Sequence, residues 1–515
     1  MNQKFTSTIA GASIFISLMA ITSRSVGFIR EIIFAGYFGT GSEFDLYLVG
    51  AVLPVTINNI LLYIGQNFFI PGIQKLIPIN KDEAREYYSQ WFIIFFTGGT
   101  LFALLLFLFS DQIVNLYVSS ASLESKLIAV KIFKIFLITI PFASAVSILS
   151  ALLQTIYEYK YPAISVLFLN ICVIVAIVLF TDKIGIYVIP IGYCLGTFLQ
   201  FCYLMFNTEK IFKLNLIFNI KKNNFISLNL TSSFVIIVLI EIISQLYTIF
   251  DRHFYSEVSA GGIASLNYAM MIWFMPISIF SISLATAIFP KITNAINQSS
   301  NFEIEKIFND SISMNLLIFI PFTSILFFHG DTLIKLFFER GKFLQSSSLI
   351  TFDVLRLYSI SLVFYSIYTV FNKIFYSLNL IKLLLYITIS GLVIKLVLNF
   401  LLINFQQNGL ALSTSISFFY FSIISYTILN FKLRIKNRSL FIKEFISHII
   451  NCGLSILIIK ILFDLLPESN LIYEMLSIVV FLVLYMLNLV LIRYESLLTI
   501  KELLNRFNPW SFKTS

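Results

Sequence analysis

Long apolar runs separated by short charged gaps organise the whole chain. The runs are Thr8–Tyr37, Leu46–Leu76, Trp91–Phe109, Leu127–Tyr157, Ala163–Phe180, Ile186–Phe206 and Leu228–Phe250 in the first half. Ile263–Ile292, Met314–Phe328, Leu349–Leu378, Leu380–Phe405, Gly409–Asn430, Phe445–Leu466 and Ile472–Ile492 complete them. A helix rises ~1.5 Å per residue, so about 20 apolar residues cross a ~30 Å hydrocarbon core. The pattern predicts an all-α, polytopic membrane bundle of about 14 transmembrane helices. Several runs exceed the core thickness and should tilt or kink. Pro54, Pro141, Pro276 and Pro321 lie in or near runs. Each removes a helix hydrogen bond, so bends are expected there. The first run outlasts a signal-peptide apolar region and lacks a small-residue cleavage site, which reads as a permanent first helix.

Charge sets an orientation. Alternate gaps hold Lys75, Lys81 and Arg85; Lys210, Lys213, Lys221 and Lys222; and Lys432, Arg434, Lys436 and Arg438. The intervening gaps lean acidic, with Glu43 and Asp45, Asp111 and Glu124, and Asp464 and Glu468. Cationic loops stay in the cytoplasm, so both termini are expected there. The net charge of +9 is then topological, and nucleic acid is not an expected partner. Only 12% of residues are charged, against about 25% in soluble domains, which excludes an ordinary soluble enzyme.

The chain also repeats itself. Arg30 and Pro54 recur as Arg252 and Pro276, each 222 positions on, and "DQIVNLY" at Asp111 is echoed by "DTLIKLF" at Asp331. Six helices separate the copies, so the repeat is parallel, with a pseudo-twofold along the membrane normal. This predicts an N-terminal lobe over 1–209, a basic cytoplasmic linker over 210–227, and a C-terminal lobe over 228–431. Two further helices and a cytoplasmic tail follow over 432–515. Two such lobes suit alternating access.

Few residues offer catalytic chemistry. Cys172, Cys194, Cys202 and Cys452 sit inside apolar runs with no C-x-x-C pair, and His253, His329 and His448 are isolated. No metal site or cofactor is expected. No phosphate-binding glycine loop and no nucleophile–base constellation is present, so the chain does not read as an enzyme. What stands out is charge inside apolar runs. "SRSVGFIRE", Ser23–Glu31, places Arg24, Arg30 and Glu31 within one span. A mid-span arginine costs at least about 2.5–3.5 kcal/mol and needs water or a partner. Arg24 and Arg30 could offer donors to an anionic substrate while Glu31 holds one of them. Alternatively the three form an interhelical lock. Asp251–Arg252 closes the seventh run, as a boundary pair or as a second cationic contact. Lys395 and Asn399 share a helical face at i,i+4 spacing, as a structural pair or as a coupling site.

At these residues the chain resembles the MurJ/MviN family of lipid-linked precursor flippases, in the multidrug/oligosaccharidyl-lipid/polysaccharide exporter superfamily. The resemblance covers about the first 430 residues. It is carried by "SRSVGFIREIIFAGYFGTGSEFD", "ALLQTIYEYKYPAISVLFLN", "DRHFYSEVSAGGIASLNYA", "SLATAIFP", "FERGKF" and "NGLALSTS". It implies a fourteen-helix bundle with two pseudosymmetric lobes around a cationic cavity. It also implies outward movement of polyprenyl-pyrophosphate-linked sugars across the bacterial cytoplasmic (inner) membrane. A pyrophosphate suits arginine forks. The resemblance implies a substrate-binding set of Arg24, Arg30, Glu31 and Asp45, to which the internal repeat adds Arg252 and the second-helix position adds Asn59.

Two departures bear on the cargo. Family members place an arginine pair four and five residues after the second-helix proline, where this chain has Asn58 and Asn59. They also place an arginine after "NYA", where Met270 and Met271 stand. The expected cargo is thus a lipid-linked oligosaccharide, either peptidoglycan lipid II or a surface-polysaccharide repeat unit. Membrane lipids and glycan-synthesis enzymes are the other expected partners. By the family pattern Asp251, Lys395 and Asn399 occupy coupling positions. The Lys395 ammonium would replace a cation there and pair with Asp251, so no sodium requirement is expected. The competing readings are a multidrug or cation antiporter of the superfamily and a non-transporting scaffold.

Overall fold

The computed structural model describes residues 9–70, 81–116, 118, 121–212, 232–435, 439–464 and 471–491. Lys75, most of the basic linker, Lys436, Arg438, Glu468 and the tail from 492 lie outside them. Every regular element among the described residues is helical. Among the described residues nine stretches are long and apolar enough to cross a membrane, or ten counting a bent pair as one span. Two of them, Lys160–Ile211 and Ile381–Leu433, run for 52 and 53 residues. At ~1.5 Å per residue each could cross a ~30 Å core twice.

The chain divides into two compact units, Met1–Ala264 with Arg340–Leu344, and Ser265–Glu339 with Gln345–Ser515. Unit one holds α1 (Ile9–Phe38), α2 (Ser42–Ile64), α3 (Lys81–Leu108) and the short α4 (Ser110–Asn115). It continues with α5 (Leu123–Leu137), α6 (Thr139–Thr155), α7 (Lys160–Ile184), α8 (Val188–Phe212) and α9 (Ser232–His253). The run from Leu127 to Tyr157 is therefore two helices. Pro141 has no N–H for the Leu137 carbonyl, and the helix breaks there. α6 is apolar on almost every face and almost wholly buried, which makes it the core of this unit. Leu149 and Leu152 pack with Tyr88 and Leu204 on one side. Ile140 belongs to a second cluster with Leu46, Val49 and Phe133. α7 and α8 approach backbone to backbone, because a Cβ at Gly196 would lie 2.7 Å from the Leu169 Cα.

α10 (Gly262–Pro276) leads into unit two. Pro276 ends its regular ladder, and a π turn, Ile277–Ser281, carries the chain into α11 (Ile282–Asn297). α12 (Asn301–Phe338) is 38 residues long, contains Pro321, and kinks at His329, where φ is −123° and ψ 18°. α13 (Gln345–Ser359) and α14 (Leu362–Ser377) meet at a 49° bend inside what the sequence shows as one run. No proline causes this break. Ser359 and Ser361 instead turn their hydroxyls onto the Arg356 and Tyr358 carbonyls. α15 (Ile381–Leu402), α16 (Gln406–Leu433), α17 (Ser439–Asp464) and α18 (Leu471–Leu491) complete the unit.

Candidate functional site

Arg30 lies in the last third of α1 in unit one. Its Nη2 donates to Glu31 Oε1 at 2.6 Å, and its Nη1 to Asn170 Oδ1 on α7 at 2.9 Å. The guanidinium carbon lies 5.3 Å from the Tyr193 ring centre on α8 and 5.5 Å from that of Phe34. Tyr47 on α2 hydrogen-bonds Tyr193 in turn. Side chains of α1, α2, α7 and α8 thus converge on one cation. The rings give it favourable faces, and Glu31, 5% exposed at its side chain, supplies the counter-charge. Arg30 Nε is buried with no hydrogen-bond partner among the described residues. A guanidinium has five N–H groups, so donors remain for a further anionic oxygen.

Arg24 lies six residues earlier on α1 and is exposed. Asn59 on α2 is also exposed, whereas its neighbour Asn58 donates to Thr139 Oγ1 at 2.7 Å, bracing the α5–α6 break. Met270 and Met271 are half-buried on α10.

Asp45 and Arg252 converge elsewhere, on the turn between α9 and α10. Asp45, wholly buried, accepts from the backbone N–H of Gly261 at 2.7 Å and of Ala264 at 2.6 Å. Arg252 Nη1 donates to the Ile263 carbonyl at 3.2 Å. The carboxylate caps the start of α10 and satisfies donors that a helix N-terminus leaves open. Gly261 permits the close fit. Its φ of +83° suits glycine, and a Cβ there would collide with the Thr40 carbonyl. Beside this clamp lies a cavity of about 280 Å³ lined by hydroxyls of Ser42, Ser122, Ser125, Tyr255 and Ser256 and by Asp45.

Of the proposed coupling residues, Asp251 is buried at the end of α9 in unit one. Lys395 and Asn399 are wholly buried on α15 in unit two. Lys395 Nζ donates to Thr414 Oγ1 at 2.5 Å, and Ser413 Oγ donates to Asn399 Oδ1. Among the described residues no three His, Cys, Asp or Glu side chains are placed to hold a metal.

Sequence reading does not single out Asn170, Tyr193 or Tyr47. Asn170 gave a usable signal, an amide in the middle of an apolar run. Tyr193 and Tyr47 did not, because aromatic residues abound throughout the chain.

Residues 34–481 match the sequence model of the family described as "Lipid II flippase MurJ". A probable lipid II flippase MurJ of Borreliella burgdorferi is 27% identical over 429 residues, 81% of this chain and 83% of that relative. The lipid II flippase MurJ of Thermosipho africanus is 26% identical over 414 residues, 79% of this chain and 82% of its own. In fold, the chain is similar to a solved lipid II flippase MurJ in an inward closed conformation. The TM-score is 0.80 at 24% identity, covering 93% of this chain and 99% of that one. An inward-facing multidrug-resistance MATE transporter is more distant, with a TM-score of 0.66 at 14% identity, covering 80% and 94%.

Proposed function

Because this chain belongs to the MurJ family of lipid II flippases, we propose that it carries lipid II from the inner to the outer leaflet of the bacterial cytoplasmic membrane. The polyprenyl-pyrophosphate-linked precursor would move by alternating access, without covalent chemistry. The family match over residues 34–481 is the observation that carries the cargo assignment. Names of relatives at 26–27% identity point the same way. The likeness to MATE transporters is one of fold, and fold alone assigns no cargo.

The held guanidinium of Arg30 supports the chemistry. Glu31, Asn170 and the two rings fix its plane before any ligand arrives, which lowers the ordering cost of binding a pyrophosphate oxygen. Arg24, exposed nearly two turns away, supplies a second cation, and Asn59 a neutral donor where relatives carry charge. We read Asp45 and Arg252 as keeping the α9–α10 turn in place rather than touching cargo, because their atoms already serve backbone groups. Lys395 is proposed to act as the fixed cation of a sodium-independent transporter. The loop charges support a topology with both termini in the cytoplasm.

The deciding experiment depletes the protein in its host and identifies the lipid-linked intermediate that builds up. Accumulation of lipid II, reversed by re-expression, is the expected result. Build-up of a surface-polysaccharide unit would reassign the cargo, and no build-up of any precursor would leave the scaffold reading.

A further inference from the structure

α17 is built inside out. Ile446, Ile450, Leu454, Leu457 and Ile461 are exposed, forming an apolar outer face. The face it buries within unit two carries Glu444, His448, Asn451 and Ser455, at i, i+4, i+7 and i+11. Buried ionisable groups in a span mark a function by default, so their partners matter.

Those partners run along α12 and α18. Ser313 Oγ donates to Glu444 Oε2. His448 Nδ1 lies 2.8 Å from Tyr485 Oη on α18, and that hydroxyl donates to the Leu317 carbonyl at 3.2 Å. This carbonyl is the one that Pro321, lacking an N–H, leaves open four residues on. With its proton directed at Leu317, the tyrosine must accept from His448 Nδ1–H, which makes Nε2 the basic nitrogen. Asn451 Nδ2 donates to the Tyr485 carbonyl at 3.1 Å, and Asn488 Nδ2 to Ser455 Oγ at 3.4 Å. Cys452 sits against Ser324. At the α12 kink His329 Nδ1 lies 3.4 Å from Ser477 Oγ, and one turn on Thr332 Oγ1 donates to Glu474 Oε2 at 3.0 Å. From Ser313 to Thr332 the seam follows α12 for 19 residues. That is about 28 Å of helix, close to the ~30 Å of a hydrocarbon core.

A carboxylate stands at each end, with imidazoles, hydroxyls and amides between them. Polar groups that merely glue helices together need be no more than hydroxyls and amides. Two glutamates and two histidines exceed that need. We propose that the seam between α12 and the α17–α18 pair carries protons across the membrane, with Glu444 and His448 as its proton-binding pair and Glu474 at the far end. One proton enters at one carboxylate and one leaves at the other. Only O–H and N–H bonds exchange, each group returns to its starting form, and one positive charge moves down the membrane potential. The charged and titratable neighbours are Asp310, His329, Asp331 and Lys335 on α12, Glu474 and Tyr485 on α18, and Tyr426 on α16, which stacks near Phe441 of α17.

The proposal goes beyond the flippase reading and is tested apart from it. The full-length protein is reconstituted in vesicles with a trapped pH-sensitive dye, and a potassium diffusion potential, negative inside, is imposed, with and without lipid II in the bilayer. Wild-type vesicles should acidify faster than protein-free ones in at least one condition. Glu444→Gln and His448→Gln keep hydrogen-bonding capacity but cannot relay a proton, and each should slow acidification at least about tenfold. Thermal unfolding in detergent confirms that both variants are folded, and Glu474→Gln probes the far end should either unfold. Wild-type flux no greater than in protein-free vesicles in both conditions, or flux undiminished in the folded variants, overturns the proposal. Lipid II movement, scored separately in the same vesicles, tells a failed proton path from a failed cargo assignment.

Discussion

Arg30 is the residue on which the proposed cargo chemistry turns. Two of its nitrogens are engaged at 2.6 and 2.9 Å by Glu31 and Asn170, and the Tyr193 and Phe34 rings lie 5.3 and 5.5 Å from its guanidinium carbon. A lysine would keep the charge and lose the fork. One lost hydrogen bond to a charged group is worth about 1.5–3 kcal/mol, so Arg30→Lys should lower lipid II export about 10- to 150-fold. Asn170→Ala should fall between wild type and that variant, since it loosens the guanidinium without removing it. Both are checked by the amount of lipid II reaching the outer leaflet at matched protein levels. Export by Arg30→Lys at the wild-type rate would remove Arg30 from the cargo site. Some of this cluster is legible in the sequence, because Arg30 and Glu31 are adjacent and charged within an apolar run. Asn170 lies 140 positions away, and only packing of α7 on α1 brings it near. The backbone clamp formed by Asp45 is not legible either. A buried carboxylate that accepts backbone N–H groups has the same sequence signature as one that waits for a ligand.

At the scale of elements, prolines and caps account for where the helices differ from the apolar runs. Pro141 and Pro276 each break a run by leaving a carbonyl without its donor, and both breaks are foreseeable from the residue type. The bend between α13 and α14 is not foreseeable that way, since its cause is a pair of serine hydroxyls bonding back onto the chain. The start of α10 depends on Asp45 in the same local sense. Asp45→Ala removes a cap and leaves two buried N–H groups, at Gly261 and Ala264, without acceptors. Each such group costs about 1–3 kcal/mol, so a clear drop in the detergent melting temperature is expected. Asp45→Asn keeps one side-chain oxygen and should lose roughly half as much. Export should track this stability order. An Asp45→Asn variant with a wild-type melting temperature and abolished export would instead make Asp45 a cargo contact.

For the whole molecule, the sequence already declares an all-helical membrane protein, because hydropathy needs no tertiary information to be read. The division into units is harder to place from sequence. The short segment Arg340–Leu344 belongs with unit one although its neighbours on both sides belong to unit two. Its anchor is the Lys342 N–H bond to the Gly36 carbonyl at 2.8 Å, and no periodicity encodes that. Orientation, by contrast, rests on loop charge alone. Lys210 lies in the last turn of α8 and Lys432 in that of α16, with Arg434 just beyond it, whereas Asp111 and Glu124 open α4 and α5. Cationic loops resist translocation across an energised membrane, so the proposed topology keeps the basic group inside and the acidic group outside. Green fluorescent protein fused after residue 515 should therefore fluoresce, because it matures only in the cytoplasm. Alkaline phosphatase inserted in the gap after Ser122 should be active, because it needs the oxidising outer compartment. A dark carboxy-terminal fusion together with an inactive phosphatase insertion would invert the topology.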